Sequence, residues 1–297
     1  MTALMFHSWP ARGGSGRLSR LRAAAPPLFW TGLALLALSL PTLLLAGLDP
    51  RLFQGVSVWL KPWKFQLSVG VFLLTLALFM CWLPPWRQHG RAARALAWVA
   101  VASGVFEVAY ITWQGAWGLA SHFNTGSALG AALYALMGVG AVSLSATALA
   151  LAVLIARTTD YGVPPAFKLS IVLGLALTFL LGTGFGGYLS AQAAGHWVGG
   201  SLSDAGGLPV VKWSRDGGDL RVAHFFGVHA MHFIPALGAA LPALRLDARW
   251  ARLAVWAFAA LFTAFSVWTF VQALDGQAFV QGSSEAGVVT AASALRA

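Results

Sequence analysis

The chain has 297 residues, 58% of them hydrophobic and only 9% charged, with a formal net charge of +10. A soluble domain of this size needs far more charge to cover its surface, so the composition excludes one and indicates a polytopic membrane protein. The positive charge is not a nucleic-acid signal, because the Arg and Lys residues sit in short clusters between apolar runs, where they set membrane topology.

Arg12, Arg17, Arg20 and Arg22 precede an apolar run that begins near Leu28. The pattern resembles the charged start of a signal peptide. The run lasts about 20 residues, however, against roughly 7–15 for the apolar region of such a peptide, and no small-residue cleavage pattern follows. It is expected to be a retained first transmembrane helix. A span needs roughly 20 apolar residues, and the chain offers seven such runs, at about 28–48, 65–85, 95–118, 128–156, 167–190, 222–242 and 251–274. The expected fold is therefore all-α: a polytopic transmembrane helix bundle. A basic tail (1–27) precedes it, a long connection (191–221) interrupts it, and a small, polar tail (275–297), expected to be poorly ordered, follows it. No internal repeat marks an inverted-repeat transporter.

Twelve of the 19 Lys and Arg residues fall on the side of the amino terminus. The short connections on that side carry Arg87, Arg91, Arg94, Arg245, Arg249 and Arg252, whereas the 119–127 connection on the other side carries none. The positive-inside trend then predicts a cytoplasmic amino terminus and an outer carboxyl terminus. With scarce lysine, abundant Ala and Arg and short loops, the expected location is a bacterial inner membrane.

With this orientation the unusual polar residues gather on the outer side. The stretch GGDLRVAHFFGVHAMHFIP, residues 217–235, holds His224, His229 and His232 in an apolar helix. At about 100° per residue all three share one broad face, with His229 about 8 Å and His232 about 12 Å beyond His224. That face must look into the bundle or a wet cavity, since lipid does not tolerate it. Glu107 is the single acidic residue near the middle of a span, and its depth matches that of His232, so the third and sixth spans are expected to face each other there, with Glu107 near His232 or His229. Tyr110 and Gln114 share the face of Glu107. Lys61 and Lys64 run against the positive-inside trend, and with Arg221 and Asp219 at the start of the sixth span they suggest an anion or substrate site. Lys61 and Lys64 are also candidate partners for Glu107 or Asp219. His122 and Asn124 of SHFN and His196 of GHWVGG sit at the same mouth. GTGFGG, residues 182–187, lies inside a span with no strand before it, and marks close helix packing in place of a nucleotide loop.

Two chemistries fit these residues. One is haem b, with His224 or His229 as one axial ligand and His122 or His196 as the other, because two ligands on one helix cannot approach both ring faces. The other is a divalent metal held by His229 and His232, with His122, His196 or Glu107 as third ligand and Glu107 the candidate for acid–base work. A lipid or quinone-like substrate, or a redox partner, would suit either. A proton- or ion-coupled transporter and a non-catalytic scaffold or sensor are the alternatives.

Overall fold

The computed structural model describes residues 16–159, 162–193 and 195–281. Seven of its helices are long and apolar enough to cross a membrane. They are α2 (Pro26–Leu48), α3 (Leu60–Met80), α5 (Arg91–Ala116), α6 (Ala128–Ala156), α7 (Pro165–Ser190), α8 (Arg221–Ala240, prolonged by a 3-10 turn at Leu241–Leu244) and α9 (Ala248–Leu274). Two short helices, α1 (Arg17–Ala24) and α4 (Pro85–Gln88), lie at the end of the bundle that carries the basic connections. Helices of this length satisfy their backbone groups internally, which is what an apolar bilayer demands. The chain is a multi-pass membrane protein.

α3 begins at Leu60, earlier than the apolar run suggests. Pro62 is the third helical residue, where no intrahelical partner exists for the amide that proline lacks. Lys61 and Lys64 consequently sit inside the first turns of the span rather than in a lead-in. The expected amino-terminal tail likewise contains α1, and α2 starts at Pro26. Arg12 and the tail beyond residue 281 lie outside the described residues. The part of the tail up to 281 is packed, with the Phe279 ring 5.8 Å from Trp213 and 5.9 Å from Phe226.

Each span packs against the next, from α2 to α9. α3, α5, α6, α7 and α8 thus surround a central region, with α2 against α3 and α5, and α9 against α7 and α8. Near the basic end that region is filled by Leu73, Leu76, Met80, Leu96, Leu151, Ile155, Ile171 and Leu175, all buried. At the opposite end two connections form a cap. Residues 49–59 carry a hairpin of β1 (Leu52–Phe53) and β2 (Val56–Ser57), turned by Gln54 and Gly55, both at positive φ as a two-residue hairpin turn requires. Residues 191–220 carry β3 (Trp197–Val198) paired antiparallel with β4 (Gly218–Asp219). The connections are joined where the Gln54 carbonyl accepts the Asp204 amide at 2.9 Å. A long connection without obvious periodicity is therefore an ordered lid.

α7 and α8 make the most intimate helix pair. A Cβ on Gly174 would lie 2.8 Å from Pro235 Cδ, one on Gly182 would lie 2.9 Å from Val228 Cγ1, and one on Gly227 would lie 3.0 Å from the Gly182 nitrogen. Thr178 reaches across to accept the Met231 amide at 2.8 Å. Small residues here let the two backbones approach. Gly227→Val is expected to lower the thermal unfolding midpoint in detergent, with a cost of about 1–3 kcal/mol for overpacking. Gly184→Ala, whose Cβ would meet nothing within 4 Å, should leave the midpoint unchanged.

Candidate functional site

The first turns of α3 aim their cations inward. Val69 and Pro62 press against α5, and Gly70 against α2. Those contacts fix the rotation of α3, so Lys61 looks into the central region and Lys64 toward α8. Lys61 Nζ lies 3.1 Å from His122 Nδ1, and Lys64 Nζ donates to the Val211 carbonyl at 3.3 Å. Neither lysine makes an ion pair among the described residues. Burial, reinforced by the Lys61 charge, holds the His122 pKa well below the ordinary histidine range, so its ring is neutral. An ammonium only donates, so His122 Nδ1 accepts and the ring proton sits on Nε2. The ring is held between Phe65 and Tyr134, with centroids 5.9 and 6.0 Å away.

Arg221, by contrast, is fully engaged. Its guanidinium meets Asp219 at 2.7 Å and Asp204 at 2.9 Å, and donates to the Lys212 carbonyl at 2.5 Å. His196 Nε2 lies 3.3 Å from Asp204 Oδ1. Burial pushes the Asp204 carboxyl up, but His196 and Arg221 outweigh it and hold the pKa at about 2. Burial lowers the His196 pKa, with partial compensation from Asp204. Arg221 and Asp219, expected to meet a ligand, instead tie the cap to the start of α8.

The three histidines of α8 have separate partners. His224 Nδ1 lies 3.1 Å from the Gly182 carbonyl. A carbonyl only accepts, so this nitrogen carries the proton and Nε2 keeps its lone pair. A Cβ on Gly186 would lie 2.8 Å from the His224 ring, so the glycines of α7 give that ring its seat. Further along, Thr75 of α3 donates to the Val71 carbonyl at 2.8 Å and lies 3.0 Å from His232 Nε2. With its one proton on Val71, Thr75 accepts from His232 Nε2–H. His232 Nδ1 then accepts from His229 Nδ1–H at 3.1 Å, which leaves His229 Nε2 bare. Lys61, His122 and His224 are deep in the fold, each retains some accessible surface, and His122 lies within electrostatic reach of both Lys61 and His224.

Glu107 corrects the depth argument. It faces α6, where a Cβ on Gly140 would lie 2.9 Å from Glu107 Oε1, while His232 faces Thr75 of α3. α5 and α8 do not pack closely, because α6 and α7 stand between them on one side and α3 on the other. Equal depth gives no azimuth. Glu107 is only 4% exposed, its Oε1 has no hydrogen-bond partner, and Lys61 is the cation within its electrostatic reach. Gln114 donates to Tyr110 Oη at 3.1 Å and to the Ala120 carbonyl at 3.0 Å, and Asn124 donates to that same carbonyl at 3.3 Å. Both shape the turn that carries His122.

Lys61 thus lies within electrostatic reach of Lys64, His122 and Glu107, and His122 of His224, while His196, Asp219 and Arg221 belong to the cap. Among the described residues no three His, Cys, Asp or Glu side chains are grouped to hold a metal ion. Sequence reasoning missed Asp204, Thr75 and Tyr134. Asp204 in SDAGG, an acidic residue in a long connection beside an expected arginine, is the one that carried a usable signal. Comparison with protein-family models, curated proteins and solved structures finds no match.

Arg221→Gln would leave two buried carboxylates without their cation, a loss of about 3–5 kcal/mol at neutral pH. Because the folded Asp204 pKa lies below its ordinary value of 3.8, its contribution is present above that value and lost as pH falls toward about 2. The wild-type unfolding midpoint should therefore show no loss from this pair between neutral pH and about 5 and a decline below 4. The deficit of Arg221→Gln should shrink over the same acid range.

Proposed function

We propose that this protein receives an anionic group, phosphate or carboxylate, in a chamber at its capped end, and that this end faces out of a bacterial inner membrane. The carrying observation is that, among the described residues, Lys61 and Lys64 have only an imidazole nitrogen and a backbone carbonyl as direct hydrogen-bond partners. Two partly buried cations with no contacting carboxylate among the described residues favour an anion. The outward orientation is supported by the basic connections at the other end. The apolar packing between these lysines and that end would make the chamber a dead end, which suits binding or chemistry on the ligand better than conduction. Titration of the full chain in detergent with glycerol phosphate, followed by calorimetry, tests this. Lys61→Gln and Lys64→Gln should each weaken binding by about 10-fold or more, the scale of one charge-assisted hydrogen bond. Unchanged affinity in both variants would overturn the proposal.

A second reading, haem b, is favoured by the His224 geometry. Donation of Nδ1–H to a backbone carbonyl fixes the ring and leaves Nε2 free, the arrangement found behind ligating histidines. His122 is within electrostatic reach of His224, and the two lysines would pair with propionates. Haem would supply one-electron chemistry. The expected outcome is a Soret band with sharp α and β bands on reduction, lost in His224→Ala. A featureless spectrum after expression with haem supplied would dismiss this reading.

A further inference from the structure

Around the central region every pair of neighbouring spans packs closely except α3 and α8, which are joined by the hydrogen bond from His232 to Thr75. The contacts that fix α3 against α2 and α5 leave Lys64, Ser68, Val71 and Thr75 on one arc of about 60°, facing this seam. Ser68 is exposed, and Val71 is 40% exposed, although both lie inside the span. The contacts of α8 with α7 turn His232 toward the seam, and His229 lies beside His232, with its Nδ1 3.1 Å from His232 Nδ1 and the Phe225 ring 4.2 Å away. His229 retains accessible surface, and its Nε2 has no partner among the described residues. Polar groups therefore line the seam over about 16 Å of depth, from Lys64 to Thr75. Ser68 and Thr75 donate to carbonyls of α3 itself, so the groups with bonding capacity to spare are Lys64, whose hydrogen bond among the described residues is one of 3.3 Å to Val211, and His229 Nε2. Hydrocarbon chains alone cannot satisfy these two.

The water side of the same seam is covered. Val211 sits on Lys64, and Trp213 packs on Phe225 with ring centroids 5.4 Å apart. A ligand that reaches Lys64 along this route comes from the bilayer. We propose that the α3–α8 seam is a lateral opening through which a phosphate-bearing glycerolipid of the adjacent leaflet places its headgroup at Lys64 and Lys61. Its glycerol hydroxyl would donate to His229 Nε2, and its acyl chain would leave along Val71 and Phe225. The proposal rests on the reading of the two lysines as an anion site.

The test compares 1-oleoyl lysophosphatidate with glycerol phosphate, by calorimetry on the full chain in dodecyl maltoside. The lipid should bind at least 10-fold tighter than its headgroup. Val71→Trp, at an exposed position of the seam, should weaken lipid binding at least 5-fold and leave glycerol phosphate unaffected. Ala236→Trp, four residues past His232 on the same face, repeats the block from the opposite wall should the first variant fail to fold. Equal affinity for both ligands, or lipid binding indifferent to a bulky seam, overturns the lateral route. The anion site itself stands in that case as long as Lys61→Gln still weakens both ligands. If neither lysine variant affects either ligand, the anion site falls and the lateral route with it.

Discussion

The close approach of α7 and α8 is the constraint on which the rest of the arrangement depends. Glycines at 174, 182 and 227 allow it, and Thr178 locks it by taking the Met231 amide. With α8 held in this rotation, His224 is forced onto the Gly182 carbonyl and His232 is turned toward Thr75. Pro235 fits the same contact, against Gly174. A proline that only kinked the helix would be a defect. Here its ring fills the groove that the glycine leaves, so the missing backbone bond comes with a packing gain.

Charge is distributed with a clear division of labour. In the cap, Arg221 is balanced by Asp204 and Asp219, and the cluster is closed on itself. Beneath the cap, among the described residues, Lys61 and Lys64 have no carboxylate in contact, and Glu107 Oε1, held against Gly140, has no hydrogen-bond partner. Burying charges without direct partners costs stability, and proteins that keep such groups use them. The cap thus holds the fold together at this end, while the incompletely paired groups lie beneath it.

Much of the architecture was legible in the sequence because a bilayer imposes one length and one polarity on every span. The boundaries of α6 follow directly from its apolar run. α3 departs from its apolar run: two lysines look like the end of the membrane, yet the helix begins at Leu60, ahead of both. Within the site, helical periodicity placed the three histidines on one face but could not say what they meet. The expectation that the third and sixth spans face each other failed for that reason, since rise per residue gives depth and only the order of helices gives neighbours. Asp204 was hidden for a different reason. It lies in a connection with no periodicity, and its partner is defined by folding of the lid. Arg221 was recognised as a site for anions, and the anions turned out to be the protein's own.

One contact links Lys64 to the cap. Lys64 holds the carbonyl of Val211, and the residues on either side, Val210 and Lys212, are both left-handed, a conformation that a β-branched residue adopts only under constraint. A ligand that took Lys64 for itself would release that carbonyl, while the turn keeps its backbone bonds from Leu208 to Trp213, from Val211 to Pro209 and from Lys212 to Leu208, and the bond of Arg221 to the Lys212 carbonyl. Val210 is 57% exposed, so the freed carbonyl would lie one residue from the surface of the cap.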